Sequence, residues 1–171
     1  MTYICNSCGK EHSDWPAITY SAPSYYFELS DDEKEKNAEL GSDYCIIYHE
    51  HQTDRFIRCV LFQKVIDHCS DLEYGLWVSL SESNYKNYAD NFQNKNHITQ
   101  YFGWLSNFLP DYSYGASIPT LVKTKAGNKR PEIIPDPEFD HAFVRDYYRG
   151  ITREEAEKRV QRILSNDSQR I

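Results

Sequence analysis

A chain of 171 residues, 40% hydrophobic and 26% charged, is long enough to enclose a sizeable core, and one domain is its default organisation. Its 26 acidic residues outnumber 19 basic ones, and the resulting charge of -7 repels phosphate backbones, argues against nucleic-acid binding and favours basic or neutral protein partners. No apolar run reaches the length of a membrane span, and Met1 to Cys5 is too short and too polar for a secretion signal, so a cytoplasmic location is expected.

The chain begins with Cys5, Cys8, Gly9 and His12, a C-x-x-C-G-x-x-H run. Two thiolates at this spacing grip one Zn²⁺ from a tight knuckle, a glycine after the second cysteine suits the turn, and His12 supplies a third ligand. The five cysteines are an odd number, and Cys45, Cys59 and Cys69 are scattered, so no disulfide framework is expected. A thioredoxin-type redox pair would need a strand and a helix around it, which a terminal position does not offer.

Asp14 to Tyr26, with Pro16 and Pro23 among aromatics, reads as an extended arm laid over the core. Ser30 and Glu33 form a capping box for a charged surface helix running through Leu40, with Gly41 placed to end it. Asp43 to Tyr48 and Arg55 to Phe62 predict a hairpin, with Ile57, Cys59 and Leu61 on one face. Tyr74 to Leu80 predicts a third strand with large groups on both faces, one against the main core and the other beneath a helix or the arm.

Ser81 predicts the cap of a helix whose Tyr85, Tyr88, Ala89 and Phe92 make a core stripe. Tyr101 to Leu109 is aromatic around Gly103, and Leu121 to Lys125 with Glu132 to Ile134 predicts a second hairpin. Asp136, followed by Pro137, predicts the next helix start, with Gly150 past its end. Thr152 and Glu155 predict a capping box, Ile151 and Ala156 a staple, and Ala156, Val160, Ile163 and Leu164 the stripe of the last helix. The expected fold is α+β: a mainly antiparallel sheet with flanking helices and an N-terminal zinc-knuckle arm. Residues 1–165 are expected as a single globular domain, 1–27 being knuckle and arm, with 166–171 a disordered tail.

Cys5 to His12, Ala22 and Pro23, Ser42, Asp43 and Cys45, Phe56 to Arg58, and Trp77 to Ser81 together resemble the bacterial domain-of-unknown-function family 2199. So do Tyr101 to Leu105, Arg130 and Pro131, Asp140 and His141, and Gly150 and Ile151. Two positions depart from the pattern: Cys59 stands where glycine is expected and Ala142 where proline is expected. The resemblance implies a fold and a metal, without an activity, and makes Cys45 the first choice for a fourth ligand, with His141 second. The alternative for Cys45 is a small buried core residue.

Four protein ligands would close the site tetrahedrally and make the zinc structural; three would leave a bound water, with Asp140 or His141 as a base. Other catalytic patterns fail: His49, Glu50 and His51 lack the second histidine of a zincin, because Thr53 occupies that position. Arg58 and Arg130 are either an anion grip or ordinary partners of acids. Fourteen tyrosines and three tryptophans suit an interface, and Tyr25, Tyr26, Phe27, Tyr112 and Tyr114 are its candidate residues.

The expected function is a non-enzymatic, zinc-stapled domain that binds a protein partner, one with basic character, as a bacterial immunity or antitoxin protein does. The alternatives are a zinc-dependent hydrolase with an open Cys/Cys/His site and a structural subunit of an assembly.

Overall fold

The computed structural model describes residues 3–4, 11–12, 15–68, 70–113 and 117–165. In chain order, β1 (Tyr3–Ile4) pairs antiparallel with β2 (Glu11–His12). The arm contributes β3 (Ile18–Thr19) and one helical turn, α1 (Ser24–Phe27), before α2 (Asp31–Asn37). Then come β4 (Ala38–Leu40), β5 (Tyr44–Tyr48), β6 (Thr53–Gln63), β7 (Leu72–Leu80) and α3 (Glu82–Asp90). β8 (Gln100–Leu105), β9 (Ile118–Lys123), β10 (Glu132–Pro135), α4 (Ala142–Arg149) and α5 (Arg153–Ser165) complete the described elements.

The architecture is α+β, as the sequence predicts, and its sheet is mostly antiparallel. β6 to β10 pair in succession, and the ring closes where β10 lies parallel to β6, with Glu132 opposite Val60. β6 is long enough to serve two neighbours: residues 53–57 pair with β5, and Val60 pairs with β10. β4 extends the sheet beyond β5, and β3 adds parallel to β7 at Tyr74 and Gly75.

Register decides what fills the ring. Ile57 faces Val78, Cys59 faces Leu76 and Leu61 faces Tyr74, and the same face continues through Leu105, Ile118, Val122 and Ile133. All are buried and belong to one contiguous apolar cluster. Gly103 lies where β8 closes on β7; a β-carbon there would stand 2.4 Å from Val78 Cγ1 and 2.6 Å from the Ser79 carbonyl. The opposite face of β7 carries Trp77, fully buried under the arm, its indole N–H donating to the Tyr20 carbonyl at 2.9 Å. Asn107 fastens the same arm, accepting from Trp77 N at 2.7 Å and donating to the Ala22 carbonyl at 3.0 Å. The expected two-sided burial of this strand is therefore found.

Local capping signals mostly hold. Ser30 and Glu33 make both bonds of a capping box, Ser81 accepts from Asn84 N, and Thr152 accepts from Glu155 N. Gly150 ends α4 with φ 85°, a conformation that suits glycine.

Four local expectations are corrected. The first charged helix stops at Asn37, because Ala38 to Leu40 pair with β5, and a strand ladder outcompetes extension of a helix with no buried face. Asp136 does not cap α4: its carboxylate accepts from Glu138 N within a turn closed by Phe139 N on the Asp136 carbonyl, and His141 is the cap. Proline after Asp136 suits that turn as well as a helix start. In the α3 stripe only Tyr88 is buried; Tyr85 is half-buried, and Ala89 and Phe92 are exposed, since the helix ends at Asp90. The arm is not purely irregular, because it contains β3 and α1.

α5 docks through Ala156 and Val160 and through Arg159, a buried cation absent from the apolar stripe. Arg159 donates to Glu155 at 2.9 Å, to the Tyr112 hydroxyl at 2.7 Å and to Asp146 at 3.1 Å, and its Nη1 lies 3.4 Å from the Tyr74 hydroxyl. Tyr112 in turn donates to Asp146 at 2.8 Å. The guanidinium therefore joins α4, α5 and β7 to the segment after β8.

Candidate protein-binding surface

Cys5 and Cys8 lie outside the described residues, on the connection between β1 and β2, and His12 is described as part of β2 without its side chain. Cys45 lies in β5 with no exposure, opposite Phe56 and Leu40, and burial pushes its thiol up to about 12. His141 has both ring nitrogens engaged: Nδ1 accepts from Phe143 N at 3.1 Å, and Nε2 lies 3.2 Å from the Ser113 carbonyl. Asp140 pairs with Arg145. Among the described residues no three His, Cys, Asp or Glu side chains gather as a metal cluster.

The candidate interface aromatics do not share one place. Tyr25 is half-buried over Phe56, with its hydroxyl 3.2 Å from that of Ser117. Tyr26 packs edge-on to Phe27 and beneath the Lys34 ammonium, and Phe27 itself is exposed. Tyr112 is committed to the Arg159 network, and Tyr114 lies outside the described residues.

What the structure does assemble is an edge. Residues 28–54 hold nine acids and two bases, so this stretch accounts for the whole charge of -7 while the remaining chain is balanced. It folds as α2, β4, β5 and the turn into β6, at the end of the sheet where β4 has a neighbour on one side only. Large apolar side chains emerge there on both faces: Tyr44, 42% exposed, and Tyr48, 44%, on one, and Leu40, 41% and opposite Cys45, on the other.

Strand alternation arranges this edge. Tyr44, Ile46 and Tyr48 project from one face of β5, while Cys45 and Ile47 turn into the core. Glu39, opposite Ile46, shares the outward face and accepts the Tyr48 hydroxyl at 2.7 Å, a bond that raises the Tyr48 phenol above its ordinary value. Tyr85 of α3 lies beside them, its phenol raised by burial and by Tyr44, Glu39 and Tyr48. Tyr44 and Tyr48 escape sequence reading because a strand of mixed aromatic and aliphatic residues does not announce which face is uncovered. The clustering of the acids was visible in the sequence, averaged into a single net charge.

Arg58 and Arg130 also meet. Asp43 accepts Arg130 Nε at 2.6 Å, and Arg58 Nη1 reaches only the Ser42 carbonyl at 3.5 Å, while its Nε is buried without a partner among the described residues. Burial and the adjacent Arg130 charge both lower the Arg58 pKa, against the raising effect of Asp43. Burial works to raise the Asp43 carboxyl, but hydrogen bonds from Arg130 and Ser42 and the two guanidinium charges outweigh it and hold the group below its ordinary value. Ser42, Asp43, Arg58 and Arg130, read separately along the sequence, thus form one cluster.

No helix of the described residues is long and apolar enough to cross a membrane. Searches of curated proteins and of solved structures find no significant match to the chain. A family model matches residues 4–151, which contain β2 to α4 whole and the clustered Ser42, Asp43, Arg58 and Arg130. The chain thus belongs to DUF2199, a family described as uncharacterised proteins conserved in bacteria.

Proposed function

We propose that the chain is a non-enzymatic binding domain whose acidic, aromatic edge takes up a basic protein partner. The observation that carries this reading is the exposure of Tyr44 and Tyr48 on one face of β5, with Glu39 beside them, within the stretch of chain that holds the excess of acids. Carboxylates around such an edge steer a basic partner and exclude acidic ones, and tyrosines supply contact area at low conformational cost. An immunity or antitoxin role against a basic toxin is the specific form of this proposal.

The proposal includes one structural zinc ion on Cys5, Cys8 and His12. Its support is the C-x-x-C-G-x-x-H spacing and the antiparallel β1–β2 pairing, which sets Tyr3 opposite His12 and Ile4 opposite Glu11. Cys45 is the fourth ligand in this proposal, as the family resemblance implies, a buried thiol that would ionise only with the metal in place; His141, which caps α4, is the alternative. Metal content of the purified protein beside Cys5→Ser and Cys45→Ser tests this: one zinc per chain lost in both variants supports a closed site, and a metal-free wild type refutes it. For the edge, the test is partner capture by wild type against a Tyr44→Ser, Tyr48→Ser double variant, with loss of capture expected in a folded double variant.

A further inference from the structure

Basic side chains gather on the turn between β9 and β10. Residues 121–132 contain Lys123, Lys125, Lys129 and Arg130 against the single acid Glu132, in a chain whose overall charge is -7. This stretch is the β9–β10 turn, and it faces the C-terminal end of α3 across an open groove of about 490 Å³. That volume lies within the range of small-molecule sites.

The groove has cations to spare. Lys125 is neutralised by Glu132 at 2.6 Å and also lies over the Phe62 ring at 5.2 Å. Arg130 gives its Nε to Asp43, and its two terminal nitrogens have no hydrogen-bond partner among the described residues. Lys129 forms no ion pair among them. Counting Arg58 behind Asp43, four cations in and beside the groove meet two carboxylates, Asp43 and Glu132. At the end of α3 the carbonyls of Asn87, Tyr88 and Ala89 accept from Asn91 N and Phe92 N.

Two aromatic rings complete the walls. Phe62 is 38% exposed and Phe92 42% exposed, and both line the groove together with the half-free cations. The fixed Arg130 fork and the Lys129 ammonium suit phosphate oxygens, and exposed phenyl rings suit the face of a planar heterocycle. The geometry points to a binding site for a nucleotide, with its phosphates on Lys129 and Arg130 and its base against Phe62 or Phe92.

The test is titration calorimetry of the intact protein with ADP, pyrophosphate and adenosine, repeated for Lys129→Glu and for Phe92→Ser, both exposed positions whose folding is checked by circular dichroism. ADP is expected to bind with a Kd below about 1 mM, more tightly than pyrophosphate or adenosine, and roughly tenfold more weakly to each variant. Absence of saturable ADP binding, equal affinity for pyrophosphate, or binding unchanged in Lys129→Glu would each overturn the site. Preference for a phosphorylated peptide over ADP would overturn the nucleotide assignment as well.

Discussion

Tyr48 and Glu39 join β5 to the edge strand β4 on the solvent side, hydroxyl to carboxylate at 2.7 Å. Because the pair is exposed, its loss should barely change folding while removing a contact that a partner would use. Tyr48→Ala is expected to leave the urea unfolding midpoint nearly unchanged and to weaken partner binding roughly tenfold. The bond also raises the Tyr48 phenol. NMR titration of labelled tyrosine should find Tyr48 above free tyrosine, and Glu39→Gln should bring it down; an unmoved titration would show that the pair does not persist in solution.

Arg159 makes the opposite kind of contact, with its side chain 3% exposed and four polar partners around it. Removing it leaves the Asp146 and Glu155 carboxylates without their guanidinium and the Tyr112 hydroxyl with Asp146 alone, in a partly buried site. Because the Asp146 and Glu155 carboxylates keep about a third of their exposure, the cost is set below that of a fully buried pair. Arg159→Met should lose about 2–3 kcal/mol in denaturant unfolding, and a loss under about 0.5 kcal/mol would mean that α5 is not fastened through this residue.

Gly103→Ala places a methyl group against Val78 Cγ1 and the Ser79 carbonyl, so β8 must move away from β7. The expected cost is about 1–3 kcal/mol, read from chemical denaturation, with the denaturant slope unchanged. A neutral variant would contradict the tight closure of the barrel at this point.

Alkaline pH should loosen the core. Burial raises the Cys59 thiol above its ordinary 9.0. Below that pH the thiol is neutral in both folded and unfolded chains, and its contribution is fully present. As pH rises further the unfolded chain loses the proton first, so stability falls, by up to about 1.4 kcal/mol per pH unit for one group. Urea unfolding between pH 8 and 11 should show this decline, with a shallower slope in Cys59→Ala; equal slopes would remove Cys59 from the account.

The parts of the fold that sequence reading found are those fixed locally. Ser30, Ser81 and Thr152 announce helix starts because the bonds they make lie within three residues, and the β5–β6 hairpin is visible because Ile57, Cys59 and Leu61 alternate. Closure of the barrel was not legible, because it rests on a parallel contact between Val60 and Glu132, far apart in sequence, that no periodicity encodes. Asp136 misled because a proline after an aspartate serves a turn as well as a helix. Arg159 escapes a stripe defined by apolar residues alone. For the sites, the cysteine spacing named a metal chemistry, whereas the acidic edge and the basic groove each needed the fold to bring separate residues together.

The most direct test of the binding surface is site-specific photocrosslinking in bacterial cells, with a photoreactive phenylalanine at position 44 or 48 and, as a control, at the exposed position 148. The account predicts one discrete basic protein partner captured from 44 and 48, not from 148, and lost when Glu39 and neighbouring acids are replaced by lysine. Capture from 148 alone, or an acidic partner indifferent to those replacements, would contradict it.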